Sequence, residues 1–208
     1  SYTNEYSKVY DYISSTELAA DYFCSQNLTG EVIGNPKGSY SYLRQIKKVT
    51  LQNLLPEQKP KVKIGDLVQN EYGEKGVAFD VQADGRTGYM VALKDVPISC
   101  MWSSKLVDIE ELPNLYHIDD LFASQIYAES DWRGEENTRI LRKNSFNEND
   151  WAVWAVALEK GWFVPSAGQL GSIYALLPTI DSSLVRNGGD EFAYDHYWSS
   201  SERTDWNG

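Results

Sequence analysis

A tight turn between two alternating segments constrains the fold of this chain most strongly. Asp84-Gly85 separates residues 77–82 from residues 87–93, and within each segment apolar residues alternate with small or polar ones. An Asp-Gly pair readily adopts the positive φ angles of a hairpin turn, and between alternating segments it is a strong hairpin signal. The sequence therefore predicts an antiparallel β-hairpin over residues 77–93.

Two helices are predicted after this hairpin, the first in a tryptophan-rich segment. Asn149-Asp150 is a favourable N-cap for residues 151–160, and a glycine at position 161 suits the C-terminal end of a helix. The second helix is expected to begin at Ser166, because Ser166 and Gln169 have the spacing of a capping box. An apolar stripe at helical spacing follows, and Pro178 is expected to end this helix.

The N-terminal segment predicts a smaller α/β unit. Residues 6–23 have nearly helical spacing of apolar side chains, whereas residues 39–53 alternate and predict one or two strands, with Tyr42, Ile46 and Val49 facing inward. Two prolines with charged neighbours then indicate a linker.

These signals together predict two units with different roles. Residues 1–60 are expected to form a small N-terminal segment or companion domain with its linker. Residues 61–208 are expected to form an α+β domain of short antiparallel strands and two helices, closing with a strand over residues 194–202.

Composition excludes several classes of function. The formal net charge of −11 argues against binding to nucleic acid phosphates. No apolar segment approaches the length of a membrane span, and Cys24 and Cys100 are too few for a metal site or a disulfide framework. No metal or cofactor is therefore predicted, and a Cys24–Cys100 pair is left open. With 14 Tyr and 7 Trp the chain is rich in side chains that suit a large core or a contact surface.

Charge is unevenly distributed along the chain. Residues 108–136 are strongly acidic, whereas a run of basic residues lies closer to the N-terminus. Both runs are expected to be solvated faces, with docking between opposite charges as the alternative. The basic residues are Arg44, Lys47, Lys48, Lys59, Lys61 and Lys63.

Six short blocks occur in an order that resembles the Fibrobacter major paralogous domain family. The resemblance spans about residues 62–208, and its last two blocks are the most specific. The blocks are Gly65-Asp66, Lys75-Gly76-Val77-Ala78-Phe79, Gly88-Tyr89-Met90-Val91-Ala92-Leu93, Gly134-Glu135-Glu136-Asn137-Thr138, Gly161-Trp162-Phe163-Val164-Pro165-Ser166 with Gln169-Leu170, and Tyr197-Trp198-Ser199-Ser200-Ser201-Glu202.

The resemblance implies a C-type-lectin-like fold and a location outside the cytoplasm. Members of the family are abundant on the surfaces of gut Bacteroidales, and the fold is shared with formylglycine-generating enzyme and the variable proteins of diversity-generating retroelements. It implies an extracellular or cell-surface binding module, on a bacterial cell or a phage particle, that recognises a glycan or a protein. Family members usually continue with a further strand pair, so the resemblance implies either a truncated sequence or an open sheet edge that is completed by a neighbouring chain.

The same resemblance places the candidate ligand-binding residues near the end of the sequence. They are Arg203, Asp205, Trp206 and Asn207, where an aromatic ring and an amide supply sugar-binding chemistry. Trp206-Asn207 matches only part of the calcium-dependent lectin pattern, because Gly208 replaces the acid.

No catalytic residue is predicted. The sequence has no nucleophile elbow, phosphate-binding loop or zinc signature, and it lacks the C-terminal cysteine pair of formylglycine-generating enzyme. Two alternatives to a binding module remain: a structural subunit of a pilus, fibre or phage particle, and a glycan hydrolase using carboxylates such as Asp190, Glu191 and Glu202. A cation at Asn187, Asp190, Glu191 and Asp195 is a weaker hypothesis.

Overall fold

A computed structural model of the chain describes ten stretches of sequence. They mix helices with an antiparallel sheet, so the expected α+β class is confirmed. The described residues are 22–26, 32–36, 40–50, 61–85, 87–97, 100–101, 109–112, 128–145, 152–195 and 197–202.

The strands form three antiparallel groups. A four-stranded sheet has the order β4-β7-β6-β5, and two smaller pairs join β1 to β2 and β3 to β8. The bounds are β1 Tyr22–Gln26, β2 Val32–Pro36, β3 Tyr40–Ser41, β4 Ile46–Thr50, β5 Leu67–Gln69, β6 Lys75–Val81, β7 Thr87–Ala92 and β8 Cys100–Met101.

Three α-helices of nine or more residues and two 3₁₀ turns follow the sheet in the described part of the chain, and residues 128–130 are also helical. Two helices, α2 and α3, pack on one face of the sheet, where they bury a shared apolar cluster. The bounds are α1 Gly134–Asn144, α2 Ala167–Ala175 and α3 Leu177–Arg186, with 3₁₀ turns at Ala152–Trp154 and Leu158–Lys160.

The predicted hairpin is confirmed. Strands β6 and β7 pair antiparallel, and Gly85 has the positive φ of 66° that favours glycine. A bulge lies between Ala78 and Asp80, and it brings the Asp80 backbone close to Gly88. A Cβ on Gly88 would lie 2.2 Å from the Asp80 carbonyl oxygen, so this position requires glycine.

Strand β4 belongs to the same sheet although it precedes the predicted linker. Ile46 and Val49 are buried as expected, because β4 pairs with β7 along its whole length. The exposed fraction of Tyr42 is 38%, so the expectation that it faces inward is wrong. The sequence-based boundary after residue 60 therefore falls between two strands of one sheet. Of the helix expected at residues 6–23, residues 6–21 lie outside the described residues, and the last two belong to β1.

The helix predicted over residues 151–160 is wrong in type. Two 3₁₀ turns replace it, and Gly161 ends the second with a left-handed φ of 80°. The physical reason is a contact from outside the segment. The guanidinium of Arg142 donates to the carbonyl oxygens of Val153 and Val156, which an α-helix would have used for its own ladder.

The capping box is confirmed, whereas the role predicted for Pro178 is wrong. The Ser166 backbone N–H donates to Gln169 Oε1 at 2.9 Å, and α2 begins at the next residue. Pro178 lies in the first turn of α3, where a missing N–H costs nothing, so it helps to begin a helix and does not end one. Neither α1 nor α3 is predicted from the sequence.

The segment expected to be the last strand is buried but mostly irregular. Within residues 194–202 the structure has one isolated bridge, from Tyr197 to Tyr42. Trp198 lies fully buried in one cluster with Leu43 and Val164. The Ser200 N–H donates to the Pro165 carbonyl at 2.7 Å, so the two most specific blocks of the resemblance pack together.

The expectation of a solvated basic face is wrong for two of its residues. Arg44 and Lys47 are buried, with exposed fractions of 1% and 4%. Arg44 donates to Asp95 Oδ1 at 2.5 Å and to the Asp190 carbonyl at 2.9 Å, and its guanidinium lies 4.2 Å from the Phe192 ring centre. A buried cation is tolerated because these groups replace its water shell.

The sequence predicts no membrane-spanning segment. Among the helices that the structure describes, none combines the length and the apolar character needed to cross a bilayer.

Candidate ligand-binding cleft

The residues predicted to bind ligand all lie outside the described residues. Nothing structural is therefore stated for Arg203, Asp205, Trp206 and Asn207. The described part of the chain has its own cleft, built from β4, β7, α1 and the turn before α1.

The open end of the sheet provides the floor of this cleft. Ile46 on β4 pairs with Val91 on β7, and both are buried under α2 and α3. Two residues further along the same face, Lys48 stands opposite Tyr89, beyond the cover of the helices. The same face of the sheet is thus buried at Ile46 and accessible at Lys48, two residues further along β4.

We call the resulting pocket the aromatic cleft. Its volume is about 370 Å³, which is within the range of pockets that hold small ligands. Its lining includes Lys48, Tyr89, Trp132, Arg133, Arg139 and Glu136.

Tyr89 is the central aromatic residue of the cleft. Its ring centre lies 6.0 Å from that of Phe79, 6.3 Å from that of Phe163 and 6.2 Å from that of Trp132. Burial, followed by the nearby Asp80 carboxylate, raises the pKa of the Tyr89 phenol. The phenol therefore stays neutral at physiological pH and keeps its O–H as a hydrogen-bond donor.

Trp132 forms the accessible wall of the cleft. Its exposed fraction is 39%, which is high for a large aromatic side chain. Its carbonyl accepts a long hydrogen bond of 3.4 Å from Gln169 Nε2, and its indole Nε1 lies close to Gly168, 2.9 Å from where a Cβ on that glycine would be. The exposed part of the Trp132 ring is therefore available to a ligand.

The buried Asp131 side chain fixes the turn that carries Trp132. Its Oδ1 accepts from the Arg133 backbone N–H at 3.0 Å and from Arg133 Nε at 3.1 Å. Its Oδ2 accepts from Asn137 Nδ2 at 2.8 Å and from Ser201 Oγ at 2.6 Å. Four donors on one buried carboxylate compensate for the loss of its hydration.

The backbone of the same turn is tied to the start of α2. The Asp131 carbonyl accepts from Ser166 Oγ at 2.7 Å and from the Gly168 N–H at 3.0 Å. A Cβ on Gly168 would lie 2.3 Å from the Glu129 carbonyl and 2.5 Å from the Asp131 carbonyl. Only glycine allows this close approach.

The last three blocks of the resemblance meet beneath the cleft. The block that begins at Gly134 contacts the block that contains Gln169, because a Cβ on Gly134 would lie 2.3 Å from Gln169 Oε1. The third block joins through Ser201, whose Oγ accepts from the Ala167 N–H at 2.9 Å. Thr138 Oγ1 accepts from the Val164 N–H at 3.1 Å. These matched residues support the cleft from below, and most of them are buried.

The charged side chains of the cleft are mostly paired within the protein. Arg139 Nη2 lies 2.7 Å from Glu135 Oε1, and Arg133 is held by Asp131. Lys48 is exposed, and no ion pair to it is found in the stretches that the structure describes. Its ammonium is the available cation of the cleft.

A second pocket, the edge cleft, adjoins the first along the outer edge of β4. Its volume is about 410 Å³, and it shares Lys48, Glu135 and Arg139 with the aromatic cleft. At its far side the buried Lys47 donates to the Lys160 carbonyl at 2.6 Å and lies 4.7 Å from the centre of the Tyr72 ring.

The carboxylates considered for hydrolysis do not line either cleft. Glu202 is buried and accepts from the Ile109 N–H at 3.1 Å. Asp190 lies 3.8 Å from Lys94, and the Glu191 carbonyl accepts from Arg44. Over the described residues, no group of three or more His, Cys, Asp or Glu side chains is placed to hold a metal ion.

Sequence reasoning missed Trp132 and Lys48 as functional candidates. Trp132 falls within the acidic run and Lys48 within the basic run, and both runs were interpreted as solvated faces. One available signal was the alternation of β4, which places Lys48 on the same face as the inward Ile46. The other was a tryptophan two residues before the Gly134-Glu135-Glu136 block.

Comparison of the chain with models of known protein families, with curated proteins and with solved structures gives no match.

Proposed function

We propose that this domain is a non-catalytic binding module that recognises a glycan in the aromatic cleft. The observation that carries the proposal is the pair of Trp132 and Tyr89, whose rings lie 6.2 Å apart at an interplanar angle of 53° over an accessible pocket. A sugar ring packs its C–H face on such an aromatic surface, while its hydroxyls need donors and acceptors around the rim.

The rim supplies those groups. The Tyr89 hydroxyl donates, the Glu136 carboxylate accepts, and Arg133 offers the N–H groups that Asp131 does not use. Tyr and Trp lose little side-chain entropy on binding, so they suit recognition on a preformed surface. The support from Asp131 and Gly168 keeps the Trp132 wall in place before a ligand arrives.

The proposal includes a C-type-lectin-like fold and a location at the cell surface or outside the cell. Its support is the resemblance to the Fibrobacter major paralogous domain family, whose three C-terminal blocks converge beneath the cleft. Residues 203–207 remain part of the proposed binding region on the same ground.

A binding role is favoured over hydrolysis because the carboxylates of the cleft are poorly suited to acid–base work. Glu135 forms an ion pair with Arg139, so Glu136 has no second unpaired carboxylate beside it among the described residues of the aromatic cleft. A glycosidase needs two carboxyl groups held across the bond to be cleaved. Replacement of Glu136 by Gln is therefore expected to leave any bound oligosaccharide uncleaved, as in the wild type.

The first test is a glycan array followed by titration of the best ligand. Trp132→Ala is expected to weaken binding by about 30-fold, since a central aromatic contact contributes about 2 kcal/mol. Tyr194→Ala is the matched control, because Tyr194 is 64% exposed but does not line the cleft. Its affinity is expected to equal that of the wild type.

Three outcomes would contradict the proposal. Equal loss in both variants would show that the aromatic cleft is not the site. An empty array with a Trp132-dependent protein pull-down would assign the cleft to a protein ligand. An empty array and pull-down, with a chain that assembles with its neighbours, would favour the structural subunit.

A further inference from the structure

We infer that the glycan carries an anionic substituent, a carboxylate or a sulfate, and that Lys48 and Arg139 bind it beside the aromatic cleft. This inference rests on the proposed function and names the class of ligand for the same site. It follows from where the two clefts meet and from which charges there are already paired.

The two clefts form one groove with a shared middle segment. Lys48, Glu135 and Arg139 line both pockets. An oligosaccharide with one ring on Trp132 therefore places its next unit over this segment. Since each pocket holds about 400 Å³, the groove favours a chain of at least two units over a single sugar.

The register of the sheet places Lys48 beside the aromatic platform. Lys48 pairs with Tyr89 across β4 and β7, so their side chains leave the same face as direct neighbours. The Lys48 ammonium is thus within reach of a substituent on a ring that packs against Tyr89. Its long stem also lets the charge follow the ligand.

Three of the four cations in the groove already have an anionic partner. Lys47 lies 3.1 Å from Glu71, Arg133 3.1 Å from Asp131 and Arg139 2.7 Å from Glu135. Lys48 lies between them without such a partner in the described stretches. Among the described residues that line the groove, Lys48 is therefore the cation whose charge is left for a ligand.

Arg139 can take part without losing Glu135. One of its Nη groups faces Glu135, and a guanidinium has five N–H donors in total. An anionic group between Lys48 and Arg139 would therefore gain charge-assisted hydrogen bonds from both residues. Glu136 lines only the aromatic cleft, so the shared segment presents two cations and one carboxylate that is already bound.

The test compares matched oligosaccharides that differ in one group. The probes are an oligosaccharide of two to four neutral hexoses, the same chain ending in a hexuronate, and the same chain bearing one sulfate. The wild type is expected to bind at least one anionic form about tenfold more tightly than the neutral chain at low salt, and this preference is expected to fall as salt is added. The hexuronate and sulfate arms identify which anion fits.

Lys48→Gln is expected to abolish the anionic preference while retaining affinity for the neutral chain. Lys48→Arg is expected to restore most of the preference, and Lys94→Gln, at an exposed lysine outside both clefts, is expected to leave it unchanged. Lys48 is on the surface, so these variants are expected to fold normally.

The inference and the proposed function fail in different ways. If the wild type binds the neutral chain as tightly as both anionic forms, or if Lys48→Gln weakens all three equally, the inference is wrong while the proposed function stands. If no probe is bound, and Trp132→Ala does not change binding to any glycan on the array either, the proposed function itself is wrong. The inference is then wrong with it.

Discussion

Asp131 and Trp132 are neighbours in sequence, yet they belong to two regions with opposite properties. Asp131 is 3% exposed and accepts four hydrogen bonds from side chains and backbone beneath the cleft. Trp132 is 39% exposed and faces the pocket. In the closed region both carboxylate oxygens of Asp131 accept hydrogen bonds, whereas in the open region part of the Trp132 ring is exposed to solvent.

The difference shows where function is to be sought in this domain. The residues that match the resemblance, such as Gln169 and Ser201, lie mainly in the closed region and hold the turn in place. Of the proposed contact residues, Tyr89 and Glu136 lie within the blocks, whereas Lys48 and Trp132 lie outside them. Under the proposed function, a shared block argues for a shared scaffold, and residues outside the blocks, such as Lys48 and Trp132, are expected to set the choice of ligand.

Removal of the Asp131 carboxylate is expected to have the largest effect on stability. Asp131→Ala leaves Ser201, Asn137 and the Arg133 backbone without their acceptor in a buried site. We expect a loss of about 3 kcal/mol in the free energy of unfolding. Urea denaturation at pH 7, followed by tryptophan fluorescence, measures this change.

Trp132→Ala provides the comparison for that measurement. It is expected to destabilise the domain by about 1 kcal/mol at most, because its ring is partly solvated before unfolding. Asp131→Asn keeps the size and one acceptor, so it is expected to fall between the two. If Asp131→Ala were no less stable than Trp132→Ala, the distinction between a closed and an open region would be wrong.

Local signals in the sequence predicted local structure well. Asp84-Gly85 specified a hairpin and Ser166 with Gln169 specified a helix start, because in both cases the interacting groups are within a few residues of each other. The same holds for the α+β class, which follows from counting such segments.

The features that the sequence did not reveal depend on distant partners. Residues 151–160 have a helical pattern, but Arg142 takes two of their carbonyls and the segment forms 3₁₀ turns. Arg44 has the appearance of a surface cation, yet its partner Asp95 lies 51 positions away. The cleft joins β4, β7 and α1, so no single window of sequence contains it.

Glu74 provides an intermediate case between the closed and open regions, on the side of the sheet where Trp162 is buried. Burial opposes ionisation of Glu74, but hydrogen bonds from Asn70, Trp162 and Lys160 outweigh it and lower the Glu74 pKa from 4.5. A carboxyl group whose folded pKa is lowered stabilises the folded state above its unfolded pKa. This contribution is lost as the pH falls through the folded value.

Glu74→Gln is therefore expected to cost about 1 kcal/mol at pH 7. The difference from the wild type is expected to shrink as the pH falls below about 4.5. Urea midpoints at a series of pH values measure this trend, and Glu110→Gln, at an exposed position, is the matched control at pH 7. A difference that grows toward low pH would contradict the assignment.

The smallest effect is expected at Lys94, which forms an ion pair entirely within solvent. The Lys94 and Asp190 side chains are about two-thirds exposed, and their charged atoms are 3.8 Å apart. Water already solvates both charges, so Lys94→Ala is expected to change the free energy of unfolding by less than about 0.5 kcal/mol. Since the Asp190 carbonyl also accepts a hydrogen bond from buried Arg44, a loss above about 1 kcal/mol would show that the ion pair helps to position the loop that contains Asp190. The difference between Lys94 and Asp131 would then depend on how each of them anchors the backbone, as well as on whether its charge is buried.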